Sequence, residues 1–134
     1  MKFTGLTPNL VSTDVARALA FYRDVLGFTL KANVPDAPPY VFVWLERDGV
    51  NVFVNDVKAV REDLPDVPSL EPGRSGVAMF LAVEGVRALW DDLRERTTVV
   101  MPLKTQWYGM TEFAITDPDG YVITFAERTG DNAK

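Results

Sequence analysis

Apolar and polar positions along the chain alternate between two periods, and the order in which they do so repeats. Leu6 to Val11 is a short β-prone segment, and Ser12-Thr13-Asp14 supplies the short oxygen-bearing side chains favoured at a helix N-terminus. Val15, Ala18, Leu19, Tyr22, Val25 and Leu26 then recur at three- and four-residue spacing. That spacing predicts a helix with one apolar face, Arg17 and Asp24 opposite, and Gly27 at its C-terminal end. Phe28 to Ala32, Tyr40 to Arg47 and Val50 to Asn55 read as strands, the last two joined by an Asp48-Gly49 hairpin turn. Residues 56 to 75 carry Pro65, Pro68, Pro72 and Gly73 among many charges and read as a connector, with a helical turn near Lys58 to Leu64. The series then restarts. Val77 to Glu84 is a strand, and Val86, Leu89, Trp90 and Leu93 stripe a second helix. Val99 to Leu103, Glu112 to Thr116 and Tyr121 to Glu127 are strands, the last two joined by the turn Asp117-Pro118-Asp119-Gly120.

Two internal matches support a duplication. Arg-Ala-Leu occurs at 17 to 19 and at 87 to 89, and Asp-Gly turns occur at 48 to 49 and at 119 to 120. The expected fold is α+β: tandem βαβββ modules forming a curved mixed sheet with helices outside. Module 1 covers about residues 1–56, the connector about 57–75 and module 2 about 76–128, within a single domain 1–134. A lone module leaves one sheet face uncovered, so two must pair, within the chain or between chains.

Composition narrows the chemistry. The chain has no His and no Cys, which excludes Ser-His-Asp and Cys-His catalysis, disulfides, zinc fingers and iron–sulfur clusters. Acid–base work would fall to carboxylates, Lys or Tyr. Fourteen Lys and Arg against nineteen Asp and Glu give a net charge of −5, and the basic residues are scattered, so nucleic acid is not an expected partner. An acidic surface attracts a cationic small molecule, although solubility alone also accounts for it. The first eight residues contain one basic residue and no apolar core, and the longest apolar run, Val41 to Leu45, is too short to span a bilayer, so no membrane association and a cytoplasmic location are expected.

The repeat, together with Phe-Tyr-Arg-Asp-Val-Leu-Gly-Phe at 21 to 28 and Glu-Phe-Ala-Ile-Thr-Asp-Pro-Asp-Gly-Tyr at 112 to 121, resembles the vicinal oxygen chelate superfamily. That group includes glyoxalases, extradiol dioxygenases and bleomycin-resistance proteins. The resemblance spans roughly residues 4 to 127. In its metal-dependent members the ligand positions would fall on Thr7, Phe53, Ala78 and Thr124, none of which is an imidazole, carboxylate or thiolate. The resemblance therefore implies a metal-free member without a cofactor, of the bleomycin-resistance type that binds a drug rather than transforming it. It also implies a homodimer, since Pro8 stands where those proteins are similar in carrying a hinge proline linked to exchange of the N-terminal strand between subunits.

Candidate ligand-binding residues are Trp107, Tyr108, Glu112, Phe53, Ala78 and Thr124. Trp107-Tyr108-Gly109 resembles a loop whose indole stacks on the planar part of an antibiotic, and the alternative is packing of Trp107 on the body or at a dimer interface. Phe53 and Ala78 would line an apolar cavity. If Phe113 packs under the helices, alternation directs Glu112 toward that cavity, where it pairs with a ligand cation or acts as a base, the alternative being an ion pair with a nearby Arg or Lys. Asp117 and Asp119 read as turn residues and Trp90 as core. The expected ligand is an aromatic, cationic drug or metabolite. The rival expectations are a glyoxalase- or dioxygenase-type enzyme using Glu112 or Glu127 as unconventional ligands, and an interaction module with no small-molecule ligand.

Overall fold

The computed structural model describes residues 1–67, 70–74 and 76–130, so Pro68 of the connector lies outside the described residues. The chain divides into two compact units, Met1–Ser75 and Gly76–Lys134, each built on a four-stranded mixed sheet.

The first unit runs β1 (Asn9–Ser12), α1 (Val15–Ala20), a π-helical turn (Phe21–Val25), β2 (Thr29–Val34), β3 (Phe42–Arg47), β4 (Val50–Asp56) and α2 (Val57–Asp63). Its sheet has the order β1-β4-β3-β2, with β1 parallel to β4 and the other pairs antiparallel. Val43, Leu45, Val52 and Val54 are buried on one face, against which α1 packs through Val15, Ala18 and Leu19. The helical stripe departs from a straight α-helix after Ala20, where Leu26 N–H reaches back five residues to the Phe21 carbonyl. This wider turn still buries Tyr22 and Leu26, with Tyr22 edge-on to Phe21 and Phe28. Gly27 then takes φ +75°, and the Arg47 guanidinium lies where a Cβ would be crowded, donating to the Leu26 carbonyl at 2.7 Å.

β1 begins at Asn9, later than the Leu6 expected from hydropathy. Pro8 offers no N–H, but its carbonyl accepts from Phe53 N–H at 2.9 Å, so the ladder's edge coincides with the proline. The connector's helical turn is realised as α2, starting at Val57 and capped onto Val60 by the Leu64 N–H.

The second unit repeats the plan: β5 (Met79–Ala82), α3 (Val86–Leu93), β6 (Thr98–Thr105), β7 (Met110–Thr116) and β8 (Val122–Arg128), in the order β5-β8-β7-β6. β5 is parallel to β8, and β8, β7 and β6 are successively antiparallel. Two tandem βαβββ modules in an α+β fold are therefore present. Phe113, Ile115, Ile123 and Phe125 form the buried face, where the Trp90 ring of α3 meets Phe113 at 5.2 Å and Phe113 meets Phe125 at 5.1 Å. Trp90 is a packing residue, with Arg94 stacked on its ring at 5.0 Å. The Asp117 carboxylate accepts from Asp119 N–H and Tyr121 N–H, which makes it a turn-forming group.

Candidate functional site

The face of the second sheet opposite α3 carries the polar chemistry. Cross-strand partners share a face, so Glu112 stands beside Ala126, Ala114 beside Thr124, and Phe80 of β5 beside Thr124. Because Phe113 packs beneath α3, alternation puts Glu112 on the other side, and it is only 5% exposed there.

A carboxylate buried this deeply is expected to find donors, and here they come from the four-residue connection between β6 and β7. Tyr108 donates its hydroxyl to Glu112 Oε1 at 2.8 Å and Gln106 donates Nε2–H to the same oxygen at 3.1 Å. These neutral donors take the place of the Arg or Lys partner considered from the sequence. Glu112 Oε2 is buried and has no hydrogen-bond partner among the described residues. Lys104 lies directly across the ladder, but it is solvent-exposed and leaves that oxygen unmet. The bond to Glu112 pushes the Tyr108 phenol above its usual range, with burial and the charge of Glu112 adding to the effect.

The connection itself is tied down. Gln106 N–H donates to the Met110 carbonyl, Gly109 N–H to the Gln106 carbonyl, and Thr129 and Gly130 N–H both to the Gly109 carbonyl. Arg128 Nη1 donates to the Tyr108 carbonyl at 3.2 Å, and Thr105, Thr111 and Thr129 share a chain of hydroxyl hydrogen bonds beneath the loop. Trp107 at the tip remains 77% exposed, its indole edge-on to Tyr108 at 5.3 Å.

The structure thus brings Trp107, Tyr108 and Glu112 into one group, with Thr124 half-buried on the same sheet face, one rung along from Glu112. Ala78 is exposed just before β5. Phe53 belongs to the other unit, where it lies edge-on between Phe42 (5.3 Å) and Trp44 (6.3 Å) on the face away from α1. Trp44 donates its indole N–H to Asn51 at 2.8 Å. Gln106 was not singled out from the sequence, and no periodicity marks it. Phe42 and Trp44 were not singled out either, although the alternation of Phe42 and Trp44 with buried Val43 and Leu45 carries the signal.

Residues 6–125 match the glyoxalase/bleomycin resistance protein/dioxygenase superfamily, nearly the whole chain. The chain belongs to that superfamily. It is 26% identical over 128 residues to a bleomycin resistance protein of Geobacillus stearothermophilus, covering 90% of this chain and 94% of the relative. Among solved structures it is similar to a glyoxalase/bleomycin resistance protein/dioxygenase from Nocardioides, with 24% identity, a TM-score of 0.76 and coverage of 96% of this chain and 85% of that one. It is similar also to TnmS3, an antibiotic binding protein from Streptomyces sp. CB03234, with 22% identity, a TM-score of 0.71 and coverage of 96% and 99%.

The superfamily's metal-dependent members raise the question whether a metal fits here. Thr7 and Thr124 offer neutral hydroxyls and Phe53 and Ala78 offer nothing, a donor set that does not suit a divalent ion. Among the described residues no three Asp or Glu side chains converge as a metal site would require. Glu112 and Glu127 do not converge either. Glu127 lies on the α3 side of the sheet, where its carboxylate accepts from Gly85 and Val86 N–H at 3.1 Å. Among the described residues no helix is long and apolar enough to cross a membrane.

Proposed function

We propose that this member of the superfamily is a binding protein of the bleomycin-resistance kind, which sequesters an aromatic, cationic drug or metabolite without transforming it. It would act as a homodimer in the cytoplasm, without a cofactor. The observation that carries this reading is Trp107: a large aromatic ring held at the tip of an anchored loop, 77% exposed, with the Tyr108 ring perpendicular to it at 5.3 Å. Exposing an indole forgoes about 1.5–3 kcal/mol of burial, which a planar ligand would recover by stacking. The buried Glu112 carboxylate nearby and the net charge of −5 favour a cationic ligand. The bleomycin resistance and antibiotic-binding relatives support the ligand class, and the donor set at Thr7, Phe53, Ala78 and Thr124 argues against the glyoxalase or dioxygenase alternative.

Bleomycin, titrated against the protein, should quench tryptophan fluorescence over a background from Trp44 and Trp90. The Trp107→Ala variant should remain folded, lose most of the quenching and bind by ~1–3 kcal/mol more weakly, as for stacked bases. If Trp107→Ala instead unfolds or dissociates the protein with affinity per folded molecule unchanged, the residue is structural and the stacking reading fails.

A further inference from the structure

The Glu112 carboxylate is held in an asymmetric way that bears on what the site accepts. Both neutral donors within reach, the Tyr108 hydroxyl and the Gln106 amide, converge on Oε1, at 2.8 and 3.1 Å. Oε2 is buried with no partner among the described residues. Leaving a charged acceptor buried and unmet costs more than a hydrogen bond returns, so Oε2 favours the arrival of one further donor. Two donors on one oxygen also fix the carboxylate plane, and their own positions are set by backbone bonds from Gln106, Gly109, Thr129 and Gly130. Oε2 is thereby aimed before any ligand binds. Around it, on the same face, are Ala126, Ala114, half-buried Thr124 and the exposed ring of Phe80, which supply apolar surface and one hydroxyl, and Lys104, whose solvent-exposed side chain leaves Oε2 unmet.

We propose that Glu112 Oε2 is the acceptor for one positively charged N–H group of an aromatic ligand, and that Gln106 and Tyr108 are positioning residues that aim it and thereby set specificity for a cation over its neutral counterpart. This rests on the binding reading above and deepens it. In this assignment the Tyr108 hydroxyl does not touch the ligand, because it is spent on Glu112, whereas its ring still flanks Trp107. An anionic group is excluded at Oε2, since the fixed oxygen is an acceptor only.

The test uses two planar probes of one ring system: proflavine, a cation carrying N–H groups at neutral pH, and acridine, which is uncharged there. Isothermal titration calorimetry should give the native protein a preference for proflavine of about ten- to a hundredfold, the range for a hydrogen bond to a charged group. Glu112→Gln should abolish the preference and leave acridine affinity unchanged. Tyr108→Phe keeps the ring and removes only the donor. It should reduce the preference severalfold with acridine affinity unchanged, an outcome that a purely structural role for the loop would not give. Should Glu112→Gln fail to fold, Tyr108→Phe and Gln106→Leu decide the matter by the same ratio. Equal affinities for the two probes in the native protein, both lost in Trp107→Ala, would overturn this inference and leave the binding reading standing. Failure of both probes to bind would overturn the two together.

Discussion

Tyr108 spends its hydroxyl inside the protein, and this makes it measurable. The phenol donates to Glu112 Oε1, and that hydrogen bond, then burial, then the negative charge of Glu112, raise its pKa above the ordinary value. Among the described residues Arg128 donates to the Tyr108 carbonyl rather than its hydroxyl, and Lys104 is exposed across the ladder, so neither cation offsets the carboxylate at the hydroxyl. A folded-state pKa above the unfolded one means that the bond's contribution is fully present below the usual tyrosine range near 10, and is lost as pH rises through the higher folded value. Ultraviolet difference titration should therefore place Tyr108 among the late-ionising groups of the four tyrosines, and Tyr108→Phe should reduce the late amplitude by one group. If Tyr108→Phe instead reduces the amplitude in the ordinary tyrosine range, the hydrogen bond to Glu112 is not what holds the proton. Once ionised, the phenolate would repel Glu112, so affinity for a cationic probe should change in the same alkaline interval.

The two helices that open the modules are capped differently. Asp14 caps α1 locally, its carboxylate accepting from Arg17 N–H at 3.0 Å. α3 has no such residue: its N-cap is Gly85 at φ +83°, and the acceptor is Glu127, brought from β8 at the far end of the module. Glu127→Ala should cost about 0.5–2 kcal/mol in urea denaturation, the range for a lost cap, and Glu127→Gln less because the amide oxygen still accepts. Because this carboxylate lies on the α3 side of the sheet, ligand affinity should be unchanged in both variants; a large drop in affinity with stability intact would give Glu127 a role at the site. The contrast also explains what the sequence could disclose. The Asp14 cap, the Asp-Gly turns, the helix stripe and the alternation that sends Glu112 away from Phe113 depend on near neighbours, and all were legible. Glu127's role depends on a strand 42 residues distant, and the bonds from Gln106 and Tyr108 depend on how a loop folds back over a strand; neither leaves a period in the sequence. The π-helical turn at Phe21–Val25 escaped for a related reason: its pattern of buried residues is still that of a helix, and only the hydrogen bonding differs. Pro8 lies inside the segment whose hydropathy reads as a strand from Leu6, and its missing N–H coincides with the start of β1 at Asn9.

At the scale of the whole molecule, several large apolar side chains stand exposed. Phe3 and Leu6, ahead of β1, are 101% and 97% exposed, and Val77 and Phe80, at β5, are 72% and 60% exposed. Both groups adjoin edge strands, since β1 and β5 each pair on one side only within their sheets, and an apolar edge left open invites strand addition from another chain. A homodimer that covers these residues needs to bury about 1,200–2,000 Å² in total, a demand that four large apolar side chains and their neighbours on each copy go far to meet. Light scattering during size-exclusion chromatography should then return twice the 14.9 kDa chain mass. Replacing Phe3 and Leu6 together by Ser should shift the population toward the single-chain mass on dilution, because it removes apolar area at the edge without touching either core. A single-chain mass for the native protein at micromolar concentration would overturn the dimer, and the exposed arm would then have to be explained by some other partner.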